Sequence, residues 1–130
     1  MTAVTTTVSR PAAARIAYGA LTVPLLAVLV FVVVDHGTGY WQLAAFVLAP
    51  DLALVYGAAP GLAKGQLHPR AVGLYNLVHR FPGPVALALV AWLGMIPRGF
   101  LIGALAWALH VGLDRTVGYG LRTRDGFQRA

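Results

Sequence analysis

Residues 16–34 read IAYGALTVPLLAVLVFVVV, from Ile16 to Val34, and contain no charged side chain. As a helix rising about 1.5 Å per residue, this run is about 28 Å long, close to the ~30 Å of a bilayer's hydrocarbon core. A secretory signal carries a shorter apolar stretch, about 7–15 residues, followed by a small-residue cleavage site. Here the run ends in Asp35-His36-Gly37, so it is read as a retained first transmembrane helix. Composition agrees. The chain is 58% hydrophobic and only 11% charged, against roughly 25% charged in a typical soluble domain.

Working outward, residues 1–15 form a Thr- and Ala-rich polar tail that includes Ser9, Arg10 and Arg15. A second span is expected over about 40–60, starting at Tyr40 and Trp41 and carrying one charge, Asp51. A third is expected over about 71–96, interrupted by Pro82-Gly83-Pro84. Pro97-Arg98-Gly99 turns into a fourth over about 100–119, and residues 120–130 form a basic tail. The expected fold is therefore all-α, a four-helix transmembrane bundle over 16–119. Small residues at Ala53, Gly57, Gly61 and at Ala104, Ala108, Gly112 mark faces where helices can approach closely.

Charge orients the bundle. Arg10, Arg15, Lys64, Arg70, Arg122, Arg124 and Arg129 fall on one side of the spans and Arg98 alone on the other. Basic flanks stay cytoplasmic, so both termini are expected in the cytoplasm of a multi-pass protein of the inner (plasma) membrane. The same distribution accounts for the net charge of +6 through the anionic leaflet, with no nucleic-acid partner. There is no Cys, which removes disulfides, zinc–thiolate sites and cysteine nucleophiles. Ser9 lies in a polar tail, which excludes a serine hydrolase.

Ionisable groups inside spans are functional candidates by default. They are Asp51, His79, Arg80, His110, Asp114 and Arg115, joined by Tyr75 and Asn76. Asp51, His79 and His110 each lie nine residues from a cytoplasmic span end, at Pro60, Arg70 and Tyr119. That is a common depth of about 13 Å. Asn76, Asp114 and Arg115 form a second layer about one turn nearer the cytoplasm. Asn76, His79 and Arg80 share a helix face, as do Trp107, His110 and Asp114. Asp114 is placed to hold an imidazole N–H of His110 and so select its tautomer. Pro50 adjoins Asp51, and Pro82 and Pro84 free the carbonyls of Val78 and Arg80 beside His79, as in broken transporter helices. The competing reading is a structural clamp in which Asp51 and Asp114 neutralise Arg80 and Arg115. His36 and His68 are read as solvated loop residues, and Trp41, Trp92 and Trp107 as belt or packing residues.

The segments Pro50-Asp51-Leu52, Tyr75-Asn76-Leu77-Val78-His79 and Trp107-Ala108-Leu109-His110-Val111-Gly112-Leu113-Asp114-Arg115, followed by Gly118-Tyr119-Gly120-Leu121, resemble a small bacterial membrane family, domain of unknown function 4260. The resemblance covers about residues 40–127. It implies that Asp51, Tyr75, Asn76, His79, His110, Asp114, Arg115 and Tyr119 occupy signature positions. This chain departs from the family after Gly-Leu, where Arg122 stands for a Lys or aromatic residue. It also lacks the family's closing Thr-His-Leu-Gly.

Three functions are compatible with these residues. The first is an acid–base enzyme, an isomerase, cyclase or hydrolase, acting on a lipophilic substrate. His110, Asp114, His79 and Asp51 would move protons, and Tyr75, Asn76, Arg80, Trp107, Arg115 and Tyr119 would contact substrate. In its metal-assisted form His79, His110, Asp51 and Asp114 bind a divalent Zn, Fe or Mn. The second is a proton-coupled small transporter subunit, which would need a homo-oligomer. The third is a structural or accessory membrane protein. The bilayer is the one partner all three share.

Overall fold

The computed structural model describes residues 11–129, so the reading of residues 1–10 lies outside the described residues. The chain is all-helical: α1 (Ala12–His36), α2 (Tyr40–Leu48), α3 (Leu52–Tyr56), α4 (Pro69–Val78), α5 (Pro82–Trp92) and α6 (Gly99–Val117), with a 3-10 turn over Ala49–Asp51. Among the described residues the one β pairing is an isolated bridge between Arg122 and Gln128.

Among the described residues two helices are long and apolar enough to cross a membrane, α1 with 25 residues and α6 with 19. The second and third expected spans are each divided. Pro50 lacks the N–H that an α-helix needs, and the chain tightens into the 3-10 turn between α2 and α3. Pro82 lacks the N–H that would bond the Val78 carbonyl, and its ring crowds that carbonyl in a continuous helix. α4 accordingly ends at Val78 and α5 restarts at Pro82. The first helix also begins earlier than expected, at Ala12, taking up residues read as tail.

α6 is the central element, packing on α1, α2 and α5. Leu29 and Val33 of α1 meet Ile102, Ala106 and Leu109 of α6 in one buried cluster, flanked by Phe46 and Val47 of α2. Small residues set the spacing. A Cβ on Gly112 would strike Thr22 of α1, and one on Gly103 would strike Phe46 of α2. Gly57 similarly admits Leu67 and Ala71, in a second cluster with Ala53 and Tyr75. Gly61, expected on the same helical face as Gly57, instead lies in a turn with φ +79°.

After α6, Gly118 adopts φ +103°, and Tyr119 N–H closes on the Asp114 carbonyl at 2.8 Å. The following segment then folds back. Leu67 N–H donates to the Gly126 carbonyl at 2.9 Å and Arg129 N–H to Leu121 at 2.7 Å. Residues read as a basic tail thus fold back against the loop before α4 and against Asn76.

Candidate metal centre

Four side chains from three parts of the fold converge. Asp51 arrives on the 3-10 turn, His79 as the residue capping α4, and His110 and Asp114 from adjacent turns of α6. The Nε2 atoms of His79 and His110 are 3.3 Å apart. Asp51 Oδ1 lies 3.6 Å from His79 Nε2 and 3.4 Å from His110 Nε2. Asp114 Oδ2 lies 3.5 Å and 3.6 Å from the same two atoms. The five separations that involve a His Nε2 thus fall between 3.3 and 3.6 Å. Asp51, His79 and His110 each place a ligand atom within 4.8 Å of the other two, a grouping that could hold a metal ion, and Asp114 adds a second carboxylate facing both imidazoles.

The outer nitrogens set the chemistry of the inner ones. His79 Nδ1 sits 2.9 Å from the Tyr75 carbonyl, and His110 Nδ1 sits 2.8 Å from the Val47 carbonyl. A carbonyl only accepts, so both Nδ1 atoms carry the proton. In neutral rings both Nε2 lone pairs then face the shared centre together with two carboxylate oxygens. Orientation of metal-binding histidines by a backbone carbonyl on the second nitrogen is the usual arrangement. A clamp made of His–Asp ion pairs fits less well. Charge-assisted N–H···O contacts shorten to about 2.7–2.9 Å, and none of the four His–Asp separations falls below 3.4 Å.

The expected tautomer selection by Asp114 is replaced. Val47 holds His110 Nδ1, and Asp114 faces the opposite nitrogen. Asp114 joins the same centre as Asp51, His79 and His110, where it was expected one layer away.

His79 is fully buried. Its ring stacks on Tyr75 with centroids 3.9 Å apart and planes 16° apart. Arg115, also buried, donates from Nη2 to the His79 carbonyl and from Nη1 to Tyr119 O. It thereby ties the interrupted end of α4 to α6. Trp107 Nε1 donates to the Val78 carbonyl at 2.6 Å, satisfying the group that Pro82 leaves free. Asn76 exchanges two hydrogen bonds with the Arg122 backbone, at 3.0 and 2.7 Å. Arg80 is exposed and forms no ion pair among the described residues, because α4 ends before it and the Asn76–Arg80 helical face is not formed.

Two hollows flank the centre. Asp51, Tyr75, Asp114, Tyr119, Arg122 and Gln128 line one of about 320 Å³. Phe46, Ala49, Pro50, Val78 and Trp107 line an apolar one of about 120 Å³. Arg122 and Gln128 were not among the residues singled out from the sequence. Their position in a basic tail gave no sign that the tail folds back, although Arg122 directly follows the Gly118-Tyr119-Gly120-Leu121 segment.

No curated protein and no solved structure matches the chain. A family model does, over residues 16–130, with the description "Domain of unknown function (DUF4260)". That span contains Asp51, Tyr75, Asn76, His79, His110, Asp114, Arg115 and Tyr119, the positions at which the resemblance was first drawn, and the chain belongs to the DUF4260 family.

Proposed function

We propose that this chain is an integral membrane metalloenzyme carrying out metal-assisted hydrolysis of a lipophilic substrate at the His79–His110–Asp51–Asp114 centre. The observation that carries the reading is the grouping of Asp51, His79 and His110 ligand atoms within 4.8 Å of one another, with Asp114 facing both imidazoles and each imidazole turned inward by a backbone carbonyl.

A membrane setting is supported by what α1 leaves uncovered. Its most apolar window has mean hydropathy 2.5 yet is only 11% buried, and Ile16, Val23, Phe31 and Val34 are exposed. Soluble monomers rarely expose contiguous apolar surface on that scale. The divided segments complete a four-helix bundle in this reading. α2 and α3 together form one crossing, α4 and α5 another, and both termini face the cytoplasm with the basic residues. Freed backbone groups at such breaks must be met by protein, as Trp107 and Arg115 do here.

A divalent ion held by these residues would supply a Lewis acid and a water acidic enough to react near neutral pH. Catalytic sites keep one coordination position open to water or substrate. Asp51, half exposed where His79 is sealed, is the ligand that can give way. It faces the 320 Å³ hollow and is the carboxylate placed to accept a proton from the attacking water. Asp114, at 22% exposure, stays as the anionic ligand.

Elemental analysis of detergent-purified protein tests this reading. About one equivalent of zinc, iron or manganese is expected, falling to background in His79→Ala and His110→Ala that remain folded. Lipid extracts from membranes expressing wild type should differ from those of Asp51→Asn by loss of one species and gain of its hydrolysis product. Metal content unaffected by His79→Ala would overturn the centre. Identical extracts would overturn the activity.

A further inference from the structure

Arg122 is 9% exposed and is held by one nitrogen. Its Nη1 donates to the carbonyls of Gly65 and Gly126, at 3.0 and 2.8 Å. The guanidinium lies over the Tyr75 ring, 4.8 Å from its centroid, and that ring stacks on His79. Among the described residues neither Nε nor Nη2 has a hydrogen-bond partner, and Nε is buried. Leaving a buried donor unmet is destabilising, the more so when the group is charged. Nε and Nη2 make up one edge of the guanidinium, the edge that binds oxyanions in a bidentate manner.

Arg122 lines the same hollow as Asp51 and Asp114. Without a cation the two carboxylates would repel an anion there. The inference therefore rests on the metal reading: a divalent ion cancels the two aspartates, and Arg122 leaves the hollow with one positive charge in excess. Gln128 and Tyr119 stand on its wall. Gln128 Nε2 makes only a long 3.4 Å contact to Tyr75 Oη. Pro50 and Val78, which adjoin Asp51 and His79 in the chain, line the separate apolar hollow with Trp107, which suits a hydrocarbon chain.

We propose that Arg122 is the substrate-recognition residue of this site, holding the phosphate group of an amphiphile whose apolar part lies along the Pro50–Trp107 hollow. Nη2 meets the anion first, and Nε completes the pair as the hollow's wall relaxes around the ligand.

Binding is measured calorimetrically on the full chain with its metal, in neutral detergent. The probes are dioctanoyl phosphatidic acid, the uncharged dioctanoylglycerol, and inorganic phosphate. Wild type is expected to prefer phosphatidic acid to dioctanoylglycerol at least about tenfold, since charge-assisted pairs contribute about 1.5–3 kcal/mol. Arg122→Gln should reduce the preference to under about threefold at unchanged metal content, and Arg122→Lys should restore part of it. Displacement of phosphatidic acid by inorganic phosphate would identify the phosphate group alone as sufficient. Retention against it would identify the lipid as the ligand, and both results support the subsite. Equal affinity of metal-loaded wild type for the two lipids overturns the proposal even if Arg122→Gln does not fold. So does full preference in Arg122→Gln. Either result leaves the metal centre standing. Absence of metal from wild type would instead remove that centre, whatever the lipid preference.

Discussion

Single polar side chains decide whether the broken helices of this chain can exist in a low-dielectric setting. Arg115 is the clearest instance, because it caps the carbonyl of His79 where α4 stops. Hydrogen bonds to charged groups are each worth about 1.5–3 kcal/mol, and an orphaned buried carbonyl adds to the loss. Arg115→Ala should therefore lower stability to denaturant in detergent by at least about 2 kcal/mol. It should also weaken metal affinity without removing the site, since all four ligands remain. Unfolding curves and metal titration of the same preparation check both parts. Trp107→Phe should cost less, about 0.5–1.5 kcal/mol, because a neutral Nε1–H bond is lost while the ring's packing against Gly83 is kept. Asp51, Asn76 and His79 were legible from the sequence as polar groups where such groups are expensive. The division of labour among them was not. Asn76 holds the Arg122 backbone and Arg115 holds the end of a helix, so neither ring-facing position is theirs.

At the scale of elements, the interruptions at Pro50 and Pro82 turn side chains inward. In a continuous helix over 71–96, Arg80 would follow Asn76 on one face. With α4 closed at Val78, His79 caps the helix at φ −100° and ψ 28° and reaches His110, while Arg80 turns outward. Replacing Pro82 and Pro84 together by Ala restores the missing N–H groups and favours helix through this point. Helical content by circular dichroism should rise or hold, while bound metal should fall several-fold as His79 leaves the centre. Unchanged metal content would mean that tertiary contacts, and not the prolines, set the break. The returning segment 120–129 is a second such device. Gly126 adopts φ +94°, and a Cβ there would collide with the Leu67 carbonyl. Gly126→Ala should undock this segment from the 65–67 loop. Faster limited proteolysis after Arg122 or Arg124, with α1 and α6 intact, is the expected readout.

For the molecule as a whole, α1 and α6 are the membrane-length helices, and the site sits where the divided segments meet α6. The proposed cytoplasmic placement of both ends can be tested with introduced cysteines, since the chain has none. A membrane-impermeant maleimide should label Thr38→Cys in intact cells and Thr123→Cys only after permeabilisation. The reverse pattern would invert the topology and place the Arg122 hollow on the outer face. The helical class and the apolar character of α1 and α6 follow from the sequence by itself. Each rests on a local quantity, the length of a run of apolar residues or the position of a proline. The convergence of two imidazoles and two carboxylates, the Val47 carbonyl that turns His110 toward the others, and the burial of Arg122 were decided only by the tertiary structure. Val47 and His110 are 63 residues apart, and Gly65 and Arg122 are 57 apart. Packing at Gly103, Gly112 and Gly57 determines how closely such distant groups meet.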